Sequence, residues 1–474
     1  MLDTLLAPIR LAVDRVGLVL ASLGLVSTRR ARRVSDLAWP RIVTGVARMS
    51  QSTADVAMVG TALGTAAIAG VGYATPFWLL AFMVGGGIAG GTLSLVSQRF
   101  GAGRRDAIGG AVTTSAALAL AAVVPLAAAV GVFAEPLIGL LGSGGEAVAL
   151  GAAYLRVAAL GMPFAALNLV ASRALVGAGD AKTPMLARAG GAVLNIGLNA
   201  WLIFGADLGV VGAAVGTVVS SVAVTAVFSW GLLRGRLPGV GRLPVQIGRA
   251  AVRWDATTAR QLVQIATPLA LTNLVQTGGQ FPLMAVVSLF GPEVVAAFVV
   301  ALRIRDLMNT PGWGFGLASS SLVGRSLGTG REGEAGAYAR DALRIAVAVY
   351  VLAATAVFAF AGPVSRLFVS DPAVLPTTVA LVRVTCVSVV LWGVVTGAKG
   401  PLRASGDTRW PLVGHVAALV GFVLPAAYLG ATTALGVAGL GLALLLETGV
   451  PAAVTYARFR SGRWKLVSRA YRPA

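Results

Sequence analysis

The first group in this sequence that could do chemistry is a carboxylate. Asp55 lies inside an apolar stretch, about nine residues from its outer end. An acid held in hydrocarbon is costly and functional by default, and taking up a proton removes the charge that burial penalises. The alternative is a structural carboxylate bonded to polar neighbours. Asn195 and Asn199 are four residues apart, so on a helix they share a face. Such amides either glue helices together or, beside an acid, supply hard oxygen donors that suit Na+ as well as a proton relay. Gln276 and Gln280 repeat the spacing, as cavity lining or as interhelical glue. Arg48 precedes Asp55 by seven residues, hence on the same face and ~10 Å away at about 1.5 Å per residue. Facing a cavity it would work against cation binding; snorkelling or paired it would not. Arg303, Arg305 and Asp306 share one apolar run, with Arg303 and Asp306 spaced to neutralise each other. Glu447 is either a second ionisable site or half of an ion pair.

Other chemistries find no residues. A single His415 and a single Cys386 leave no His/Cys metal cluster and no disulfide framework. The sequence has no His-Glu-x-x-His, no Gly-x-Ser-x-Gly and no P-loop, so neither an intramembrane enzyme nor an ATP-driven pump is expected. A passive channel would not need the Asp55 constellation.

The elements that must hold these groups follow from composition. Of 474 residues, 57% are hydrophobic and 12% charged, against about 25% charged in a soluble chain. The mean hydropathy is +0.84. A soluble globular enzyme, a disordered protein and a coiled coil are excluded. The net charge of +20 would suggest nucleic acid in a soluble protein. In an apolar chain the question is where the charges lie, because basic loops mark the cytoplasmic side; no nucleic-acid partner is expected. No small-residue cleavage site follows the first apolar stretch, so no signal peptide is read.

A membrane-crossing helix needs about 20 apolar residues. Gly, Pro and charge clusters punctuate twelve such runs: 38–64, 75–98, 107–134, 147–174, 184–205, 209–233, 263–290, 294–323, 338–361, 374–398, 411–431 and 436–457, here spans 1 to 12. They are continuously apolar rather than alternating, so helices are expected, not a barrel. Basic residues gather before span 1 and in every even-numbered loop: Arg99, Arg104 and Arg105; Arg173, Lys182 and Arg188; Arg234, Arg236, Arg242, Arg249, Arg253 and Arg260; Arg325 and Arg331; Lys399, Arg403 and Arg409. The tail adds Arg458 to Arg472. Opposite loops carry Glu135, Glu146, Asp207, Glu293 and Asp371. Both termini are therefore expected in the cytoplasm of a multi-pass plasma-membrane protein. Residues 1–33, broken by Asp3, Arg10, Asp14 and Arg15, read as a helix on the cytoplasmic membrane surface.

The halves repeat at one nearly constant offset. Leu95-Val96 with Gly101-Ala102-Gly103-Arg104 returns as Leu322-Val323 with Gly328-Thr329-Gly330-Arg331. Gly179-Asp180 with Pro184 returns as Gly406-Asp407 with Pro411, and Pro40 returns as Pro268, one position later than the others. Six spans is an even number, so the copies have the same orientation, an arrangement that places a cavity between two lobes. The expected organisation is an N-terminal segment 1–37, an N-lobe 38–233, a basic linker 234–262, a C-lobe 263–457 and a basic tail 458–474. The fold class is all-α polytopic membrane protein, twelve helices in two pseudo-symmetric lobes.

At Asp55-Val56-Ala57-Met58-Val59-Gly60, the Gly-x-Gly turns, Gly177-Ala178-Gly179-Asp180 and Asn195 to Asn199 followed by Leu208-Gly209-Val210, the chain resembles the multidrug and toxic compound extrusion (MATE) family, over about 38–460. The aspartate in span 1 points to its DNA-damage-inducible (DinF-like) branch. The resemblance implies a secondary antiporter that exports organic cationic or amphipathic compounds in exchange for H+ or Na+ by rocking of two lobes, as a monomer in the bilayer with no cofactor beyond the coupling ion. It implies that Asp55 is the main ion site, with Asn195 and Thr217 as partners, and that span 1 bends at Pro40. Tyr154 and Asn168 are looser matches. Two positions depart: the family's second N-lobe acid falls on Asn199, and a C-lobe acid of other branches falls on Gln276. An amide can ligate Na+ but cannot take up a proton. A flippase for lipid-linked oligosaccharide or another anionic amphiphile has a related fold, and Arg48 and Arg303 would suit its substrate.

Overall fold

The computed structural model describes residues 2–141, 145–248, 254–369 and 371–471. Arg249, Arg253 and Arg472, read above as cytoplasmic charges, and the side chain of Asp3 lie outside what is described. Among the described residues the secondary structure is helical apart from one short hairpin, Arg236–Leu237 antiparallel to Gly241–Arg242, in the linker. The all-α membrane fold expected from composition is the observed one. Eight helices are long and apolar enough to cross a membrane, and the pair Gly145–Ala159 and Met162–Gly177, bent by 48°, makes a ninth. One of the eight, Thr28–Gly101, holds two spans: its 74 residues break at Gly64, with φ of +79°, a conformation open to glycine and strained for a side chain. Span 7 is Ala256–Gly278 continued by Gln280–Val287, and span 8 is Pro292–Gly328.

The repeated motifs are helix ends. Gly103 (φ +74°) and Gly330 (φ +76°) supply the left-handed residue of the two Gly-x-Gly turns. Gly179 and Gly406 do the same before the paired aspartates. Asp180 then caps span 5, accepting from the Thr183 N–H at 3.0 Å and the Thr183 hydroxyl at 2.6 Å. Asp407 instead takes the Arg458 Nε at 2.6 Å.

Several basic residues counted with the loops are helical: Arg173 and Arg188 fall inside the apolar runs 147–174 and 184–205 themselves, and only Lys399 and Arg403 lie past the end of theirs. Arg173 lies inside Met162–Gly177, Arg188 inside Lys182–Ala200, and Lys399 and Arg403 inside Leu375–Ser405, so these four are helix residues rather than loop charges. Arginine and lysine are good helix formers, and nothing stops the backbone hydrogen bonds at the first charge.

The chain folds as two compact units. One is Val43–Ala270; the other joins the residues up to Ile42 to those from Leu271 onward. The divisions fall inside spans 1 and 7, a few residues after Pro40 and Pro268, rather than at 38 and 263. Small residues explain why. In the first unit, a Cβ at Gly87 would meet the Ala266 carbonyl oxygen at 2.7 Å, and one at Gly91 would meet Leu262 at 3.3 Å, so the start of span 7 packs directly on span 2. Arg99 Nη2 secures it with a 2.7 Å bond to the Thr258 hydroxyl. In the second unit, Gly314 of span 8 admits the Ala38 carbonyl and the Ile42 side chain. There Arg30 pairs with Asp341 at 2.6 Å and Arg33 Nη1 donates to the Tyr338 hydroxyl at 2.7 Å. The first unit's core includes Val123, Leu155, Met162 and Leu175; the second's includes Phe298, Tyr350, Val389 and Leu440.

Candidate functional site

Within the first unit, spans 1, 5 and 6 bring Asp55, Asn195, Asn199 and Thr217 together. Asn199 Nδ2 donates to Asp55 Oδ1 at 2.8 Å and lies 3.4 Å from Asn195 Oδ1. Asn195 and Asn199 are fully buried, whereas Asp55 is half-buried and retains access. The two amides stack because they are one helical turn apart on a continuous stretch of Lys182–Ala200. Span 6 answers with small and hydroxyl residues. Asn195 Nδ2 faces the Thr217 hydroxyl at 3.2 Å and the Ser220 hydroxyl at 3.5 Å. Turned over, the same amide places its nitrogen 3.1 Å from Asp55 Oδ1 and its oxygen 3.2 Å from the Thr217 hydroxyl. The Asn199 Oδ1 is buried without a hydrogen-bond partner, packed where a Cβ on Gly216 would otherwise stand. Tyr154 lies against Thr217 and within the field of Asp55.

Three residues of this site carry no family signal and escape a reading of the sequence. Gln51, one turn before Asp55, approaches the Asn195 amide at 3.0 Å. Ser220 follows Thr217 by three residues, and Gly216 precedes it. Helical spacing from Asp55 and Thr217 would have found the first two; Gly216 becomes visible only through packing.

The other expected residues sit elsewhere. Asn168 donates to the Ser221 carbonyl at 3.1 Å and accepts from the Thr225 hydroxyl at 2.9 Å, tying span 4 to span 6. At Pro40 the backbone stays helical, and the non-helical residue of that run is Gly64; proline costs least where neighbouring helices hold the chain. Arg48 lies over the Phe82 ring, 4.6 Å from its centre. In the second unit Gln276 and His415 meet at 2.8 Å. His415 is buried and has the Trp392 ring 5.9 Å away, about one and a half turns into the helix that begins at Arg409. Gln280 is exposed, past the break after Gly278 that removes it from the face of Gln276. Arg303 is exposed beside Asp306. Glu447 is half of an ion pair with Arg305 at 2.6 Å. Among the described residues no group of three His, Cys, Asp or Glu gathers where a metal could bind.

A polytopic helical protein with an internal repeat and one acid framed by buried amides has the build of a membrane transporter. The chain belongs to the MatE family, whose model matches it twice, over residues 40–201 and 268–429. The two matches begin at Pro40 and Pro268, the prolines already paired by the internal repeat. The chain is 25% identical over 441 residues to the probable multidrug resistance protein NorM of Thermotoga maritima, covering 92% of this chain and 93% of that one. It is 26% identical over 426 residues to the FAD transporter of Shewanella oneidensis, covering 89% and 92%. In fold it is similar to a MATE crystal structure in a bent conformation, with a TM-score of 0.85 at 24% identity, covering 93% and 97%. The protein is a multi-pass membrane transporter.

Proposed function

We propose that the protein is a secondary antiporter that exports organic amphiphiles in exchange for protons, with Asp55 as the proton-carrying group. The observation that carries this reading is the 2.8 Å bond from Asn199 Nδ2 to Asp55 Oδ1. The neighbour meets the acid with an N–H donor, the partner an ionised carboxylate takes, so uptake of a proton at the acid must rearrange the bonds around it. With Asp55 ionised, Asn195 also turns its nitrogen toward the acid; with Asp55 protonated, the acid donates and the Asn195 oxygen accepts. The amide then passes the change to Thr217 through the bond at its other end. Protonation thus changes which hydrogen bonds tie span 1 to span 5, and coupling requires such a difference between states. The cycle runs in the plasma membrane with both termini cytoplasmic, the basic loops inside. Gly64, rather than Pro40, is the point about which the outer end of span 1 can turn.

The test is transport in proteoliposomes, comparing a pH gradient with a sodium gradient. A pH gradient should drive export and a sodium gradient alone should not. Asp55→Asn should abolish gradient-driven export; unimpaired export by that variant would refute the role of Asp55. A second reading, a flippase for an anionic amphiphile, is favoured by one observation: Arg48 and Arg188, on the helix faces that carry Asp55 and Asn195, have no ion-pair partner among the described residues. The relatives' names span drug resistance and FAD transport, so family membership leaves the substrate open.

A further inference from the structure

We infer that Arg48 and Arg188 form an anion-binding subsite in the first unit, which takes the phosphate group of an amphiphilic substrate. The inference rests on the transporter reading above and names its substrate class.

Both residues are placed by the elements that build the Asp55 site. Arg48 is seven residues before Asp55 on span 1, and Arg188 is seven residues before Asn195 on span 5. Seven residues is nearly two full turns, so each guanidinium shares the face of its helix that carries the coupling group. The two positions are the first unit's counterparts of Gln276 and His415, which meet at 2.8 Å in the second, and the electrostatic influence of Arg48 on Arg188 agrees with that placement. Among the described residues neither belongs to an ion pair. Arg48 is exposed and lies over the Phe82 ring, 4.6 Å from its centre, an aromatic contact that brings no negative countercharge. Arg188 Nε is buried with no hydrogen-bond partner. Two neighbouring cations inside a membrane span, without a carboxylate, are expensive. A bound anion removes the cost, and paired guanidinium forks match the oxygens of a phosphate.

The internal repeat supplies a comparison. Gln276 stands to Pro268 as Arg48 stands to Pro40, and His415 stands to Pro411 as Arg188 stands to Pro184. In the second unit Gln276 and His415 satisfy each other at 2.8 Å. The same pair of positions is therefore closed in one half of the molecule and left open, with two positive charges, in the other.

The test is equilibrium binding to the full-length protein in phosphatidylcholine nanodiscs, with no gradient. The probes are 1-naphthyl phosphate, 1-naphthylmethylammonium and 1-naphthol, which share a ring and differ in charge. The phosphate should bind, and the ammonium should not displace it. Arg48→Gln and Arg188→Gln should each weaken binding about ten-fold, and Arg48→Lys should recover part of the loss. On the unaltered protein, added NaCl should weaken the phosphate and leave 1-naphthol unchanged, a readout independent of any variant's folding. Absent phosphate binding, salt-independent binding, well-folded Gln variants that bind as the parent does, or displacement by the ammonium would each overturn the subsite. Repeating the titration with one-third phosphatidylglycerol distinguishes the source. Competition by the lipid assigns the site to a headgroup and its absence to a soluble organic phosphate; either outcome upholds the site. Loss of phosphate binding with intact proton-driven export would refute the subsite alone. Intact binding with export indifferent to Asp55→Asn would refute the coupling alone.

Discussion

A methyl group at residue 216 has nowhere to go. It would stand where the Asn199 carboxamide oxygen now sits, and that oxygen is enclosed. Gly216→Ala should therefore displace Asn199, lengthen its bond to Asp55 and cost about 1–3 kcal/mol, the usual penalty for overfilling a packed site. Thermal unfolding should register the loss, and proton-driven export should fall further than the unfolding shift alone explains. Gly216→Ser with parental export would sink the argument. Asp55, Asn195 and Asn199 are legible in the sequence because polar residues in apolar runs are conspicuous, and Asn195 and Asn199 have the right spacing. Gly216 is not, since a glycine among 61 becomes informative only when a side chain fills the space beside it. Arg188 lies inside the run 184–205 and reads as a loop charge only when its charge outweighs the run that contains it.

Arg305 and Glu447 show what ionic contacts do between elements. Their 2.6 Å pair joins span 8 to span 12, with the side chains 8% and 28% exposed. Removing either partner leaves a charge without its counterion, at about 3–5 kcal/mol for a buried pair and less here because Glu447 retains access. Arg305→Leu and Glu447→Leu should each lower the unfolding temperature, and the double variant should recover much of the loss. Additive losses would show that the two do not interact. At the start of span 7, Asp255 accepts from the Thr257 N–H at 3.0 Å and from the Thr258 hydroxyl. The Thr258 hydroxyl holds the carboxyl below its ordinary 3.8; burial opposes it, and the Thr257 and Thr258 N–H groups and Arg99 add to the depression. A carboxylate depressed in the folded state stabilises above its unfolded pKa and loses that contribution as pH falls through the folded value. Asp255→Ala should cost about 1 kcal/mol near neutrality, as loss of a helix cap does. The penalty should shrink below about pH 4, the unfolded carboxylate's range, which unfolding curves at several pH values would check.

At the scale of the whole molecule, twelve spans and the copying of one half in the other are readable because lipid demands long apolar runs and because copied helix ends keep their Gly and Asp. The division into units is not readable. Which half of a helix packs on which neighbour depends on glycines such as Gly87, Gly91 and Gly314, whose effect is steric and leaves no periodic mark. A fragment ending at residue 240 lacks the part of span 7 that the first unit uses, whereas one ending at 278 contains it. Limited proteolysis should find a protected 43–270 core only in the longer fragment; equal protection of both would contradict this assignment.

The exchanged helix starts also bear on how the protein is made. Ribosomes deliver span 2 long before residues 256–270, so the strip of small residues at Gly87 and Gly91 stays bare while spans 3 to 6 and the linker are synthesised. A nascent chain in that condition has a sticky groove facing the bilayer, and only the arrival of the second half closes it. Slowing translation within the linker should therefore reduce the yield of inserted protein more than slowing it after residue 278.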